Sequence, residues 1–339
     1  MEKNKTFLND LMNSLTQILR TSERLKPFLN KATIIAIIAL VTARLISSVG
    51  LILLKLGGNW IGPNETVFWR EAIGLIWFTA IETGLILFNR QFRQDNDNSP
   101  KNNYTPKIIA FLVGGGIAAT LYMMFGVWSL SFTSVTNVAV IDCTLPIFTI
   151  LGGSIFFSQV FDRRFIIGVV IAVAGAIIIA LSDFSQSTIQ LYGDALALIS
   201  TFFYATYWLL VEQVRATTNT TIILLWRCAV GTIMLVPILW LSGSDHVLPN
   251  SCQEWLLVIA IALLSQVIVQ GLAVYSLKKL SSSFVALSML VIPLFSHIEA
   301  KFIFSEITSW TNYLGCLIVL WGMYLAIFEI YIFRNYKLD

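Results

Sequence analysis

One stretch of this chain is written twice. At an offset of 147 residues Pro146 recurs as Pro293, Phe148 as Phe295, Phe157-Ser158 as Phe304-Ser305, Gly168 as Gly315 and Gly175 as Gly322, with no gap in the register. Carried towards the N-terminus, the same offset sets Val127-Trp128-Ser129-Leu130 over Val274-Tyr275-Ser276-Leu277 and Ala139 over Ala286. All of these lie in strongly apolar segments. The repeated unit is therefore a set of membrane helices.

Composition supports that reading. Of the 339 residues 57% are hydrophobic and 12% charged, and the mean hydropathy is +0.78, outside the range of soluble domains. Apolar runs long enough to cross about 30 Å of hydrocarbon recur along the chain. The sequence predicts an all-α membrane protein with ten transmembrane helices, at 33–57, 66–89, 108–131, 136–157, 165–183, 192–214, 221–242, 253–276, 283–304 and 311–333. They form two five-helix repeats, 32–183 and 190–333, between an N-terminal extension (1–31) and a short tail (334–339). In the extension Leu8, Leu11, Met12, Leu15, Ile18 and Leu19 mark an amphipathic helix ended near Pro27. With its lysines and arginines it reads either as a membrane-surface helix or as a tail docked on the bundle. The first apolar run, about 25 residues long, is not a short cleavable signal peptide.

Lys and Arg outside the spans fall on one side. The N-terminal tail, the 89–107 loop, Arg163 and Arg164, Arg215, Lys278 and Lys279, and the C-terminal tail share one face, and the opposite loops have none. The positive-inside rule then puts both termini in the cytoplasm. Five spans per repeat is an odd number, so the two copies enter the membrane in opposite directions. Inverted repeats enclose a site at their interface near the midplane, which points to transport.

Several residues stand out in these spans. Pro146 and Pro293 remove a backbone donor near the centres of spans four and nine, freeing the carbonyls of Asp142 and Met289 to line a cavity; a packing kink is the structural alternative. Arg44, deep in span one, needs a partner, and Asp142 is the one the sequence offers, as a substrate anchor, a gate pair or a structural ion pair. His297, Glu299 and Lys301 could relay protons or hold a zwitterion, or Lys301 could simply reach the interface. The repeated Trp69-Arg70 and Trp226-Arg227 read as arginines that snorkel to opposite faces. Tyr204, Tyr207 and Trp208 with Gln266 and Gln270 suit an aromatic, amide-lined wall, or plain packing. Gly114 to Gly116, Gly168, Gly315 and Gly322 read as helix contacts.

The four cysteines show no CxxC spacing, so neither a disulfide framework nor a zinc site is expected. There is no phosphate loop, HExxH or nucleophile elbow. The net charge of +3 is not gathered into a nucleic-acid-binding face. The reading is of a non-enzyme without cofactor, catalytic residue or metal. Its partners are the lipid bilayer and a small-molecule substrate, with proton or counter-substrate coupling and a homo-oligomer both compatible.

Taken together, Ser134-x3-Val138-Ala139-x6-Pro146 and its copy from Ser281, the Phe304-Ser305-Glu306 ending, the glycine and Trp-Arg pairs and Gly193-Asp194-Ala195-Leu196-Ala197-Leu198 resemble the drug/metabolite transporter superfamily, specifically its bacterial EamA-type ten-helix members. The resemblance covers about residues 32–333. It implies a basket of ten helices around a cavity, alternating access, and inner-membrane export of amino acids or other small metabolites. Two positions depart from the family pattern: Gln159 stands where an acid is usual, and Arg44 is an addition. The expectation is a secondary transporter exporting a small polar or amphipathic, amino-acid-like metabolite. Its cavity would be lined by spans one, three, four, six, eight and nine, with Arg44, Asp142, Pro146, Pro293, His297, Glu299, Tyr207 and Gln270 at the site. The alternatives are an importer or exchanger of a sugar or phosphorylated metabolite, and a non-transporting receptor or scaffold.

Overall fold

A computed structural model describes residues 31–92, 105–133, 135–181, 188–241, 247–292, 314–315 and 317–326. Pro293, His297 and Glu299, and the amphipathic extension, lie outside the described residues. Within them every regular element is helical: α1 (Lys31–Trp60), α2 (Pro63–Phe92), α3 (Pro106–Phe132), α4 (Val135–Asp142), α5 (Leu145–Phe157), α6 (Arg163–Leu181), α7 (Thr188–Arg215) and α8 (Thr220–Leu241). After these come α9 (Cys252–Ile261), a π-helical stretch (Ala262–Val269), α10 (Gln270–Ser276), α11 (Ser282–Leu287), a 3-10 turn (Ser288–Val291) and α12 (Leu317–Ala326). Among the described residues five helices are long and apolar enough to cross a membrane: Ala32–Trp60, Pro106–Phe132, Leu191–Arg215, Thr220–Leu241 and Cys252–Ser276.

The packing follows the small residues. The run Gly114-Gly115-Gly116 lets α3 lie close to α7 and α8; a Cβ on Gly116 would come within 2.7 Å of Val230 Cβ. On α6, a Cβ at Gly168 would meet the Ala326 nitrogen at 2.5 Å and one at Gly175 the Val319 nitrogen at 2.7 Å. The backbones of α6 and α12 therefore touch, as small-residue seams allow. The most extensive contacts join α3 to α7 and α2 to α8.

The first proline-centred span is broken, and the second changes its winding before its proline. In the first, α4 stops at Asp142 and α5 restarts at Leu145 with Pro146 in its first turn, where a missing N–H is harmless. The Thr144 amide donates back to the Ile141 carbonyl at 2.9 Å. In the second, α11 tightens into the 3-10 turn just before Pro293, and the Ile292 amide donates to the Met289 carbonyl. That carbonyl, expected to be left without a partner, is satisfied by the tighter winding.

Candidate functional site

The described spans surround a cavity of about 50 Å³. α1 contributes Ser47, Gly50 and Leu54; α3 contributes Tyr122 and Met123; Asp142 ends α4; Tyr204 comes from α7; Ser265, Val269 and Gln270 come from the π-helical stretch and its end; Met289 and Ile292 come from the second proline-containing span. These are the six expected spans, and α2 adds Arg70. Lining residues recur in pairs. At the offset of 147, Tyr122 matches Val269, Met123 matches Gln270 and Asp142 matches Met289; at 157, the spacing between the two Trp-Arg pairs, Ser47 matches Tyr204. A second cavity of about 20 Å³ shares Leu54, Tyr122, Met123 and Asp142 and extends towards Leu130 and Val138, near the α3–α4 junction. Tyr122 stands between them, its ring stacked on Tyr204 at 3.9 Å.

Arg44 and Asp142 are both buried, but among the described residues no ion pair joins them. Arg44 Nε donates to Ser288 Oγ at 2.8 Å and Nη2 to the Val285 carbonyl at 3.2 Å, so the guanidinium is bound to the second proline-containing span. Asp142 Oδ1 accepts from Thr201 Oγ1 at 2.9 Å. Thr201 is the residue that the 157 offset sets over Arg44. Each first helix of one half thus reaches across to the proline-containing span of the other half. Arg44 is held there by one side-chain hydroxyl and one backbone carbonyl, not by the carboxylate.

Arg70 and Arg227 do not snorkel. Each is 1% exposed, and both converge on Glu71. Arg70 Nη1 donates to Glu71 Oε1 and its Nε to Ser265 Oγ at 2.9 Å. Gln266 Nε2 donates to Glu71 Oε2 at 3.0 Å. Arg227 Nη2 lies 3.7 Å from Glu71 Oε1, and its guanidinium sits 4.9 Å from the centre of the Tyr207 ring, a cation–π contact. Glycines at matching positions, Gly74 and Gly231, let α2 and α8 close over this cluster; a Cβ on Gly231 would be 3.0 Å from Glu71 Cγ. Tyr207 therefore supports Arg227 rather than lining the cavity. Gln270 does line it, donating to Tyr204 Oη at 3.3 Å.

The sequence profile of the EamA-like transporter family matches residues 34–181 and 191–328. The chain belongs to that family. Relatives are an uncharacterized transporter of Archaeoglobus fulgidus, 26% identical over 211 residues (61% of this chain, 72% of the relative), and the pseudopaline exporter CntI of two Pseudomonas aeruginosa strains, 26% identical over 215 residues (63% and 68%). A solved crystal structure covers 84% of this chain and 96% of its own with a TM-score of 0.60 at 15% identity, a likeness of fold alone.

As an EamA-type transporter the protein is embedded in a membrane and moves a small molecule. A cavity of 50 Å³ holds a few waters, not a metabolite. Polar contacts tie its surroundings at two places. Lys55 Nζ donates to the Thr133 carbonyl at 3.3 Å, and the Thr133 hydroxyl donates to Asp194 at 2.7 Å. Glu212, which the 157 offset sets over Lys55, accepts from Ser282 Oγ at 2.5 Å and from Gln159 Nε2 at 3.2 Å. An acid at position 159 would put a second carboxylate beside Glu212; the glutamine supplies a donor. The sequence reading missed Glu71, Thr201 and Glu212. For Glu71 the signal was present, since it is the first position at which the two Trp-Arg copies diverge, to Cys228.

Proposed function

We propose that this protein is a secondary transporter of a small polar, amino-acid-like metabolite, working by alternating access through the cavity that holds Arg70, Asp142, Tyr204 and Gln270. The observation that carries the reading is the paired lining. Residues matched at the two repeat offsets, 147 and 157, meet around one space, as they would where a pseudo-two-fold axis relates inverted halves. The interruption between Asp142 and Leu145 supports it too, because irregular backbone in a membrane is stable only where it lines a cavity or is buried in protein. The two ties made at the repeat-matched positions Lys55 and Glu212, to Thr133 and to Ser282, are the contacts that would make and break in turn.

The wider arrangement is ten spans with both termini cytoplasmic, in the bacterial inner membrane, as the one-sided Lys and Arg distribution favours. The likeness to a protein named as an exporter supports the outward direction. The test is efflux of a labelled metabolite mixture from proteoliposomes, with and without a pH gradient, beside Asp142→Asn. Selective loss of one compound, abolished by the variant, is the expected outcome. Equal retention of every compound in both proteins would sink the reading.

A further inference from the structure

The buried charges near the cavity do not balance among the described residues. Among the described residues Arg44, Arg70 and Arg227 are set among two carboxylates, Glu71 and Asp142, and all five side chains are buried. A guanidinium offers five donors and keeps its charge in proteins. Arg70 has two acceptors, but Nε, Nη1 and Nη2 of Arg227 and Nη1 of Arg44 have none. Glu71 is committed to Arg70 through one oxygen and to Gln266 through the other. Among the described residues one positive charge is therefore left over, at a depth where unpaired charge is costly. Across the cavity Asp142 has Thr201 as its hydrogen-bond donor, and Gln270 Oε1 lacks a donor.

Resting on the transport reading above, we infer that the cargo is a small organic anion with one carboxylate more than it has ammonium groups, an aminodicarboxylate in class. Its extra carboxylate goes to Arg70, the guanidinium on the cavity wall, and its ammonium to Asp142 and Gln270. Glu71 is the group it competes with. When the cargo takes Arg70, Glu71 closes the 3.7 Å gap to Arg227, and two carboxylates serve two guanidiniums. A neutral zwitterion leaves the surplus in place, a diamine increases it, and a sugar does nothing to it.

The test uses L-glutamate, L-glutamine and cadaverine on the full-length protein, with two readouts: ligand-dependent thermal shift in detergent, and counterflow in proteoliposomes. Glutamate is expected to bind about tenfold or more tightly than glutamine, and cadaverine not at all. Arg227→Gln, which removes the surplus charge, is expected to erase the preference, and Arg227→Lys to keep it. Glutamine or cadaverine binding as well as glutamate overturns the inference, as does failure of all three to bind; if Arg227→Gln does not fold, the wild-type series and Arg227→Lys still decide. Glutamate binding without counterflow would sink the transport reading and leave the anion subsite standing.

Discussion

The triplets Trp69-Arg70-Glu71 of α2 and Trp226-Arg227-Cys228 of α8 began as the same three positions, and the molecule uses them differently. Both arginines are buried to the same degree, on helices that pack against each other through matching glycines. On α2 the third position is an acid, and Arg70 is held by hydrogen bonds to Glu71 and Ser265 with its side chain on the cavity wall. On α8 the third position is a buried thiol, and Arg227 rests on the face of Tyr207 without a hydrogen-bond acceptor. One divergent residue turns a symmetric pair into a satisfied cation beside an unsatisfied one. An inverted repeat can thus keep its mechanical symmetry while the chemistry of its centre becomes one-sided.

The largest break in that comparison is Glu71→Gln. It leaves two buried guanidiniums facing each other, and losing one partner of a buried ion pair costs about 3–5 kcal/mol. Little folded protein is expected in size-exclusion chromatography after detergent extraction. Next, Arg70→Lys is expected to destabilise more than Arg227→Lys, by about 1–2 kcal/mol, because only Arg70 loses placed hydrogen bonds; thermal unfolding of the two purified variants decides the order. Gly231→Ala pushes on Glu71 and the Thr120 hydroxyl, each 3.0 Å from the added carbon, and is expected to cost about 1–2 kcal/mol. It should also lower transport more than Gly74→Ala, which presses on Gln266 and Cys228 instead; initial flux, normalised to folded protein, separates them. The smallest effect belongs to Tyr207→Phe. The Tyr207 hydroxyl has no partner and the ring is what Arg227 rests on, so stability should change by less than about 0.5 kcal/mol, whereas Tyr207→Leu should cost about 1–2 kcal/mol. Equal losses for Phe and Leu would show that the ring face is not what holds Arg227.

The sequence disclosed what depends on pattern and concealed what depends on partners. Apolar run length marked the five spanning helices that the described residues contain, and the proline marked where span four is interrupted, though as a kink rather than a break, because bilayer thickness and the missing N–H act locally. Arg70 and Arg227 were misread because position along a span is a poor guide to which face of a helix is covered. Only the close approach of α2 and α8 buries them, and that rests on Gly74 and Gly231, which the sequence marks merely as small. Arg44 was assigned to Asp142 on charge and depth, whereas its acceptors are the Ser288 hydroxyl and the Val285 carbonyl, 241 or more residues away. Nothing in a sequence says which neutral acceptor a distant helix will bring to a buried cation.

The π-helical stretch from Ala262 to Val269 carries Ser265 and Gln266, which serve the charge cluster, and ends against Gln270, so that Ser265 and Gln270 both reach the cavity wall. A π-turn accommodates one residue more than an α-turn, so the two ends of this span are out of phase by the rotation one residue makes, about 100°. Deleting a single residue between Gln266 and Gln270 would return the ladder towards regular winding and turn Gln270 relative to Ser265. The span therefore behaves as a screw with a slipped thread: the α-helical turns of Cys252–Ile261 and those of Gln270–Ser276 are phased separately, and selection can retune one without turning the other.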